Sequence, residues 1–223
     1  MRVYRVNNIF YSLQGEGRYT GCAAVFIRFA GCNLRCPFCD TDFEDYREMT
    51  AEEIIETISR YEVRSTRYED SSPHKLIVLT GGEPTLQVDE AFIDLLHQRG
   101  YEVAMESNGT RPAPKNLDWL TVSPKVKEEG EWRKENGERR IEKWGRQPDE
   151  LKIVFDEHTD PETYLSQLLP LTSSAPSPLL YLQPCDTGDA ERNKVITQAC
   201  VDYIKQHPQW RLSLQTHKLI NIE

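Results

Sequence analysis

The chain has 223 residues, 38% of them hydrophobic and 28% charged. That length lies within the roughly 250–300 residues that one core can serve, and the composition is that of a folded globular protein, not a disordered one. Lys plus Arg number 27 and Asp plus Glu 36, a formal net charge of −9, so no global basic excess marks a nucleic-acid binder that grips phosphates.

The N-terminus, Met-Arg-Val-Tyr-Arg-Val-Asn-Asn, has neither the apolar stretch of about 7–15 residues nor the small-residue cleavage site of a secretory signal. No window approaches the roughly 18 consecutive apolar residues of a membrane span, so no membrane partner is expected and the cytoplasm is the expected compartment. Ala24 to Ala30 is a short β-rich run ending at Gly31, directly ahead of Cys32, Cys36 and Cys39. Thr50 to Tyr61 reads as a helix: Thr50 and Glu53 have capping-box spacing, and Ile54, Ile55 and Ile58 share one face. Lys75 to Thr80 is a continuous apolar run, as suits a parallel strand buried on both faces, and Gly81-Gly82 stops it. Asp89 to Gln98 is helical, with Gly100 past its end. Tyr101 to Glu106 and Trp119 to Ser123 are the next strands. From 127 to 150 almost every residue is polar apart from Trp132, Ile141 and Trp144. That segment reads as a solvated, mobile insertion, with a lid or interface arm anchored by the tryptophans as the functional alternative. Leu151 to Phe155 is a strand, about Pro161 to Leu169 a helix, and 172–178 a loop. Leu179 to Gln183 is a strand, Asp189 to Gln206 a long helix, and Trp210 to Thr216 the last strand. Strands alternating with helices imply βαβ units: one α/β domain over 1–223, its largely parallel sheet open or rolled into a partial barrel.

The cysteine run Cys-Asn-Leu-Arg-Cys-Pro-Phe-Cys places three thiols within eight residues, directly after a strand and a glycine. A structural zinc site would lack its fourth Cys or His, with Asp40 the nearest substitute. Disulfides are disfavoured where thiols stay reduced. A four-iron cluster fits best, because Cys thiolates are its usual ligands and three of them leave one iron open for catalysis. Cys22, Cys185 and Cys200 are scattered and read as small packing residues. Polar residues recur wherever an apolar strand stops: Thr80-Gly81-Gly82-Glu83-Pro84, Glu106-Ser107-Asn108, Ser123-Pro124-Lys125 and Gln183-Pro184-Cys185-Asp186. Packing alone does not produce such a ring, and the carboxyl ends of parallel strands are where α/β sheets bind ligands. Arg28 interrupts the apolar strand Val25-Phe26-Ile27-Arg28-Phe29, so its guanidinium needs an anionic partner, either a ligand carboxylate or a neighbouring Asp or Glu.

The spacing Cys-x3-Cys-x2-Cys, with an aromatic just before the last cysteine, resembles the signature of the radical S-adenosylmethionine (SAM) superfamily. Five further stretches narrow the resemblance: Tyr11 to Gly17, Phe26 to Cys32, Cys39-Asp40-Thr41, Val122 to Lys125 and Leu214 to Lys218. Together they are similar to the 7-carboxy-7-deazaguanine synthase family, over about residues 5–223. The resemblance implies a shortened radical-SAM partial (β/α) barrel, mostly parallel and usually homodimeric, with a [4Fe–4S] cluster, SAM and Mg²⁺ as cofactors.

Residue by residue, it implies that Cys32, Cys36 and Cys39 hold the cluster. The SAM pocket takes Phe38, Cys39, Asp40, Gly82 and Glu83, then Ser123, Pro124 and Lys125, and the turn Gln183, Pro184, Cys185 and Asp186. A Lys125 cation beside the SAM carboxylate is independently favourable, though a surface lysine is the plain alternative. The substrate site takes Leu13, Gln14, Gly15 and Glu16, with Arg28, Thr80 and His217, and Glu223 as a weaker candidate. Thr41 would ligate Mg²⁺, a hard cation that keeps few protein ligands. The implied reaction converts 6-carboxy-5,6,7,8-tetrahydropterin to 7-carboxy-7-deazaguanine with loss of ammonia, in 7-deazapurine (queuosine) biosynthesis. A one-electron donor must exist, which the sequence does not identify. The competing readings are a radical-SAM activase that makes a glycyl radical on a partner protein, and an iron–sulfur or zinc carrier without catalysis.

Overall fold

The computed structural model of the chain describes residues 2–37, 39, 45–61, 76–125, 144–168 and 177–222. A nine-stranded sheet runs through it: β1 (Val3–Leu13), β2 (Ala23–Phe29), β3 (Arg47–Thr50), β4 (Leu76–Gly81), β5 (Glu102–Ser107), β6 (Trp119–Val122), β7 (Glu150–Phe155), β8 (Leu179–Pro184) and β9 (Trp210–Leu212). Their order across the sheet is β3-β1-β2-β4-β5-β6-β7-β8-β9. β1 is antiparallel to β2 and β3, and every other neighbouring pair is parallel. Parallel neighbours need long crossovers, and helices supply those into β4, β5, β8 and β9. These are α1 (Ala51–Ser59), α2 (Glu90–His97), α3 (Pro161–Leu168) and α4 (Ala190–Gln206); a short α5 (Thr216–Ile220) follows β9. The architecture is the mostly parallel α/β sheet expected from the sequence.

Helix boundaries follow the capping chemistry. Thr50 Oγ1 accepts the Glu53 amide at 3.2 Å while Glu53 Oε2 accepts the Thr50 amide at 2.7 Å, a complete capping box. Asp89 caps α2 through the Phe92 amide at 3.0 Å. Strand alternation then sorts side chains between the two faces. Ile27, Leu79, Met105, Leu120, Ile153 and Leu182 point to the face covered by helices and join Ile54, Phe92, Ile93 and Ile196 in the main core. On the opposite face Phe10, Ala24, Phe26, Leu76, Val78 and Ala104 form a smaller apolar floor. Beyond that floor the same strands turn polar, and the site lies there.

Three parts of the sequence reading change. β1 and β3 were not anticipated: β1 carries Arg5, Asn7, Asn8 and Ser12 among its apolar residues, which blurs its alternation. The last strand ends at Leu212 rather than Thr216, because Thr216 turns into α5; Gly15 O accepts both its amide, at 3.1 Å, and its hydroxyl, at 3.0 Å. The stretch expected to be a solvated insertion to 150 is fold from Trp144 onward. Trp144 is 1% exposed in the main core, its Nε1 donates to Gly109 O at 2.8 Å, and Glu150 opens β7. The rest of that insertion, including Trp132 and Ile141, lies outside the described residues.

Candidate active site

At the carboxyl ends of the parallel strands lies a cavity of about 580 Å³, the size of a small-molecule site. Cys32, Cys36 and Cys39 open onto one side of it, on the loop after β2. None of the six cysteines is in a disulfide. Cys32 Sγ accepts N–H groups from Leu34 at 3.4 Å and from Asn108 Nδ2 at 3.7 Å, the kind of donors that support a metal-bound thiolate. Among the described residues no three His, Cys, Asp or Glu side chains converge on a single ion. A four-iron cube makes no such demand, since each thiolate binds a different iron and the three need only surround the cube. The donor set and its position therefore fit an iron–sulfur cluster.

The glycines after β4 are explained by the chain's own packing. Glu83 N donates to Gly31 O at 2.9 Å and Gly82 N to Phe29 O at 2.8 Å, clamping β4 to the start of the cysteine loop. A Cβ on Gly82 would lie 2.0 Å from Gly31 O, so no side chain fits there. Gly15 answers a similar demand: a Cβ would lie 2.1 Å from the His217 ring. Glycine thus allows the α5 segment to close over the loop after β1.

A polar network also lines the cavity. Lys152 on β7 pairs with Glu16 Oε2 and stands 3.7 Å from Glu106 Oε2. Gln14 Nε2 donates to Glu106 Oε1 at 2.9 Å, and Gln14 Oε1 accepts the Glu16 amide at 3.1 Å. Gln215 Nε2 donates to Glu16 Oε1 at 3.0 Å. Burial alone would raise the Glu16 carboxyl, but the Lys152 charge and the Lys152 and Gln215 hydrogen bonds outweigh it and lower it to about 2. Burial alone would lower Lys152, but the Glu106 and Glu16 charges raise it. Lys125, which donates to Ser123 Oγ at 2.7 Å, is pushed down by burial and by the Lys152 charge. Asp186 is lowered to about 2 by hydrogen bonds from Lys218, the Gly188 amide and Asn193. Arg28 lies in the cavity with its guanidinium carbon 4.6 Å from the centre of the Phe10 ring.

The cavity gathers most of the residues singled out from sequence. Leu13, Gln14, Gly15, Glu16, Arg28, Thr80 and His217 line it, as do Gly82, Ser123, Lys125 and the turn Gln183, Pro184, Cys185 and Asp186. Two do not. Pro124 is buried away from the lining, and Glu83 is 0% exposed with its carboxylate already engaged. Glu83 Oε1 accepts the Thr85 amide at 3.1 Å, the Thr85 hydroxyl at 2.6 Å and Ser107 Oγ at 2.9 Å, while Oε2 accepts the Asn108 amide at 2.7 Å. The Glu83 side chain ties the end of β4 to the end of β5. Phe38, Asp40, Thr41 and Glu223 lie outside the described residues. The scattered cysteines divide too: Cys200 is buried, Cys185 lines the cavity, and Cys22 is exposed rather than packed. Reading by sequence missed Lys152 and Gln215. The signal for Lys152 was present, since it interrupts the apolar run Leu151-Lys152-Ile153-Val154 just as Arg28 interrupts β2.

A cluster-binding cysteine loop beside a cavity with charged and polar groups in its lining, at the carboxyl ends of a mostly parallel sheet, defines a radical SAM enzyme, and the Radical SAM superfamily model matches residues 26–125. A 7-carboxy-7-deazaguanine synthase from Bacteroides thetaiotaomicron is 42% identical over 218 residues, 98% of each chain. One from Bradyrhizobium diazoefficiens is 40% identical over 237 residues, 98% of this chain and 99% of its own. The crystal structure of QueE from Escherichia coli superposes with a TM-score of 0.70 at 27% identity, covering 95% of this chain and 93% of that one. The chain belongs to the 7-carboxy-7-deazaguanine synthase family of radical SAM enzymes.

Proposed function

We propose that the chain converts 6-carboxy-5,6,7,8-tetrahydropterin to 7-carboxy-7-deazaguanine with loss of ammonia. The observation that carries this reading is one cavity with the three cluster cysteines on one side and Arg28, Gln14, Glu16 and His217 elsewhere on its lining. The relatives reported above carry the synthase name, and a cavity of about 580 Å³ with Arg28 in its lining suits a small anionic substrate, so the glycyl-radical activase is set aside.

Cys32, Cys36 and Cys39 hold the [4Fe–4S] cluster, and Gly82, Ser123, Lys125 and the 183–186 turn bind SAM. Bound there, these cofactors would supply radical chemistry for hydrogen-atom abstraction. The protein's own part is orientation and exclusion of water. The Arg28 guanidinium pairs with the substrate carboxylate in a charge-assisted, two-point contact. Gln14, Glu16 and His217 bind the substrate's polar edges. Lys125 faces the SAM carboxylate, and its weakened hold on its proton makes that anionic partner valuable to it. Thr41 is the proposed Mg²⁺ ligand, and the site in solution belongs to one radical-SAM domain of a cytoplasmic homodimer served by a one-electron donor. No helix among the described residues is long and apolar enough to cross a membrane.

The test is anaerobic reconstitution with iron and sulfide, then incubation with SAM, dithionite and the tetrahydropterin, with and without Mg²⁺. Formation of 7-carboxy-7-deazaguanine is expected, with a Mg²⁺ response that Thr41→Ala weakens. Formation of 5′-deoxyadenosine without that product would overturn the substrate assignment while keeping the superfamily. Cys36→Ala should abolish cluster absorbance and Cys200→Ala should retain it; the reverse would sink the ligand assignment.

A further inference from the structure

Lys152 is 4% exposed, sits among apolar residues of β7, and yet opens onto the cavity. Alternation on β7 sends Leu151, Ile153 and Phe155 into the main core and leaves Lys152 on the other face, opposite the loop after β1 and the end of β5. A lysine there has to desolvate its ammonium, and replacing a buried ion pair by apolar groups is often neutral or stabilising, so stability alone does not explain it. Its contacts do. Lys152 bridges Glu16 and Glu106, which come from different parts of the chain, and Gln14 closes the ring by donating to Glu106 and accepting the Glu16 amide. Each carboxylate spends one oxygen on Lys152 and the other on a glutamine, so both are held by two contacts. One ammonium and two carboxylates give these three groups a net single negative charge, and acceptor oxygens so placed suit a ligand edge rich in N–H donors. The amino-pyrimidinone ring of a reduced pterin has such an edge.

We infer that Lys152 is a positioning residue for substrate: it fixes Glu16 and Glu106 as a pair of acceptors for the N–H edge of the pterin, while taking no part in cluster or SAM binding. The inference rests on the substrate proposed above. Without the ammonium, the carboxylates of Glu16, on the loop after β1, and Glu106, on β5, would repel one another and turn apart or take up protons. The glutamines could not hold both, because each reaches only one carboxylate.

The experiment measures equilibrium binding of the tetrahydropterin and of SAM to the cluster-loaded protein, anaerobically and without reductant so that nothing turns over. In Lys152→Met the pterin dissociation constant should rise about 30-fold or more, the lower end for truncating one partner of a buried charge pair, while SAM affinity stays within about threefold. Lys152→Arg should restore most of the lost pterin affinity. Wild-type pterin affinity in Lys152→Met, or parallel loss of pterin and SAM affinity in both variants, would overturn the inference. Should Lys152→Met not fold, the double variant Lys152→Met/Glu16→Gln removes one charge of each sign and is compared with Glu16→Gln alone. Weaker pterin binding in the double variant is expected, and equal binding would overturn the inference. Wild-type protein that does not bind the pterin would sink the proposed substrate and this inference with it; wild-type binding beside an unaffected Lys152→Met sinks the inference alone.

Discussion

On the helix-covered face of the sheet β7 presents Leu151, Ile153 and Phe155, and on the cavity face it presents Glu150, Lys152 and Val154. β2 divides the same way, with Val25, Ile27 and Phe29 toward the helices and Ala24, Phe26 and Arg28 toward the cavity. A two-residue period therefore lets each strand carry stability on one side and chemistry on the other. The cavity face is itself graded along the strands. Phe26, Val78 and Ala104 fill the floor, and one step further along the same strands stand Arg28, Thr80 and Glu106. The apolar floor keeps water from beneath the polar groups, where charge–charge interactions are consequently strong.

If the division holds, substitutions should separate by face. The largest effect on stability is expected from Phe92→Ala on α2. Phe92 is 0% exposed in the main core, packed tilted against Tyr4 at 4.7 Å and edge-on to Phe29 at 6.3 Å. A loss of about 3–5 kcal/mol is expected, a large share of a typical domain's stability. Thermal or urea unfolding measures it, and the folded fraction should bind pterin and SAM with unchanged affinity. Altered affinity would mean that the faces are coupled.

Gly82→Ala comes next and tests the seam between the faces. The added methyl would meet the Gly31 carbonyl at 2.0 Å, a backbone group that moves only with the cysteine loop. Overpacking of this kind costs about 1–3 kcal/mol. Here the displaced loop bears Cys32, so reduced cluster absorbance on reconstitution should accompany the fall in melting temperature. Loss of stability with full cluster loading would show that the clamp holds the sheet but not the cluster loop.

Arg28→Met should invert the pattern of Phe92→Ala. Its contact with the Phe10 ring contributes about 0.5–1 kcal/mol to folding, whereas a charge-assisted pair with the substrate carboxylate is worth about 1.5–3 kcal/mol. Pterin affinity should fall roughly 10- to 150-fold with a small change in melting temperature. A large fall in stability with little change in affinity would reassign Arg28 to a structural ion pair.

The helix face was legible in sequence because burial on one side of a helix or strand writes a period. Ile54, Ile55 and Ile58, the Thr50 capping box and the run ending in Gly81-Gly82 all stand where the pattern put them. The cavity face was legible where a residue broke such a pattern, as Arg28 does, or where the cysteine spacing named its chemistry. Lys152 broke a pattern in the same way, but its partners Glu16 and Glu106 lie 136 and 46 residues away in sequence, and only the fold brings them together. Glu83 shows the converse. A carboxylate in a ligand-binding motif reads as a ligand contact, and the sequence gives no sign that backbone amides and hydroxyls from two neighbouring segments also hold it. Trp144 was obscured by the charged residues before it, which hid one core tryptophan inside a polar stretch.

The smallest expected effect concerns the rim, where Lys218 of α5 pairs with Asp186 after β8 at 2.8 Å. Both side chains are over a third exposed, at 35% and 37%, so solvent screening limits the pair to under about 1 kcal/mol. The sign of its pH dependence is fixed. Asp186 is lowered in the folded chain to about 2, below an ordinary value of 3.8. Its contribution is therefore complete above about pH 4 and lost as pH falls toward 2. Lys218→Met removes the first cause of that lowering, so its melting temperature should lie slightly below wild type at pH 6, and the difference should shrink as pH falls below about 4. Added salt should narrow the gap at pH 6, because an exposed pair is screened far more than a buried one such as Lys152 and Glu16. A gap that persists at low pH or in high salt would mean that Lys218 contributes through packing of its chain rather than through its charge.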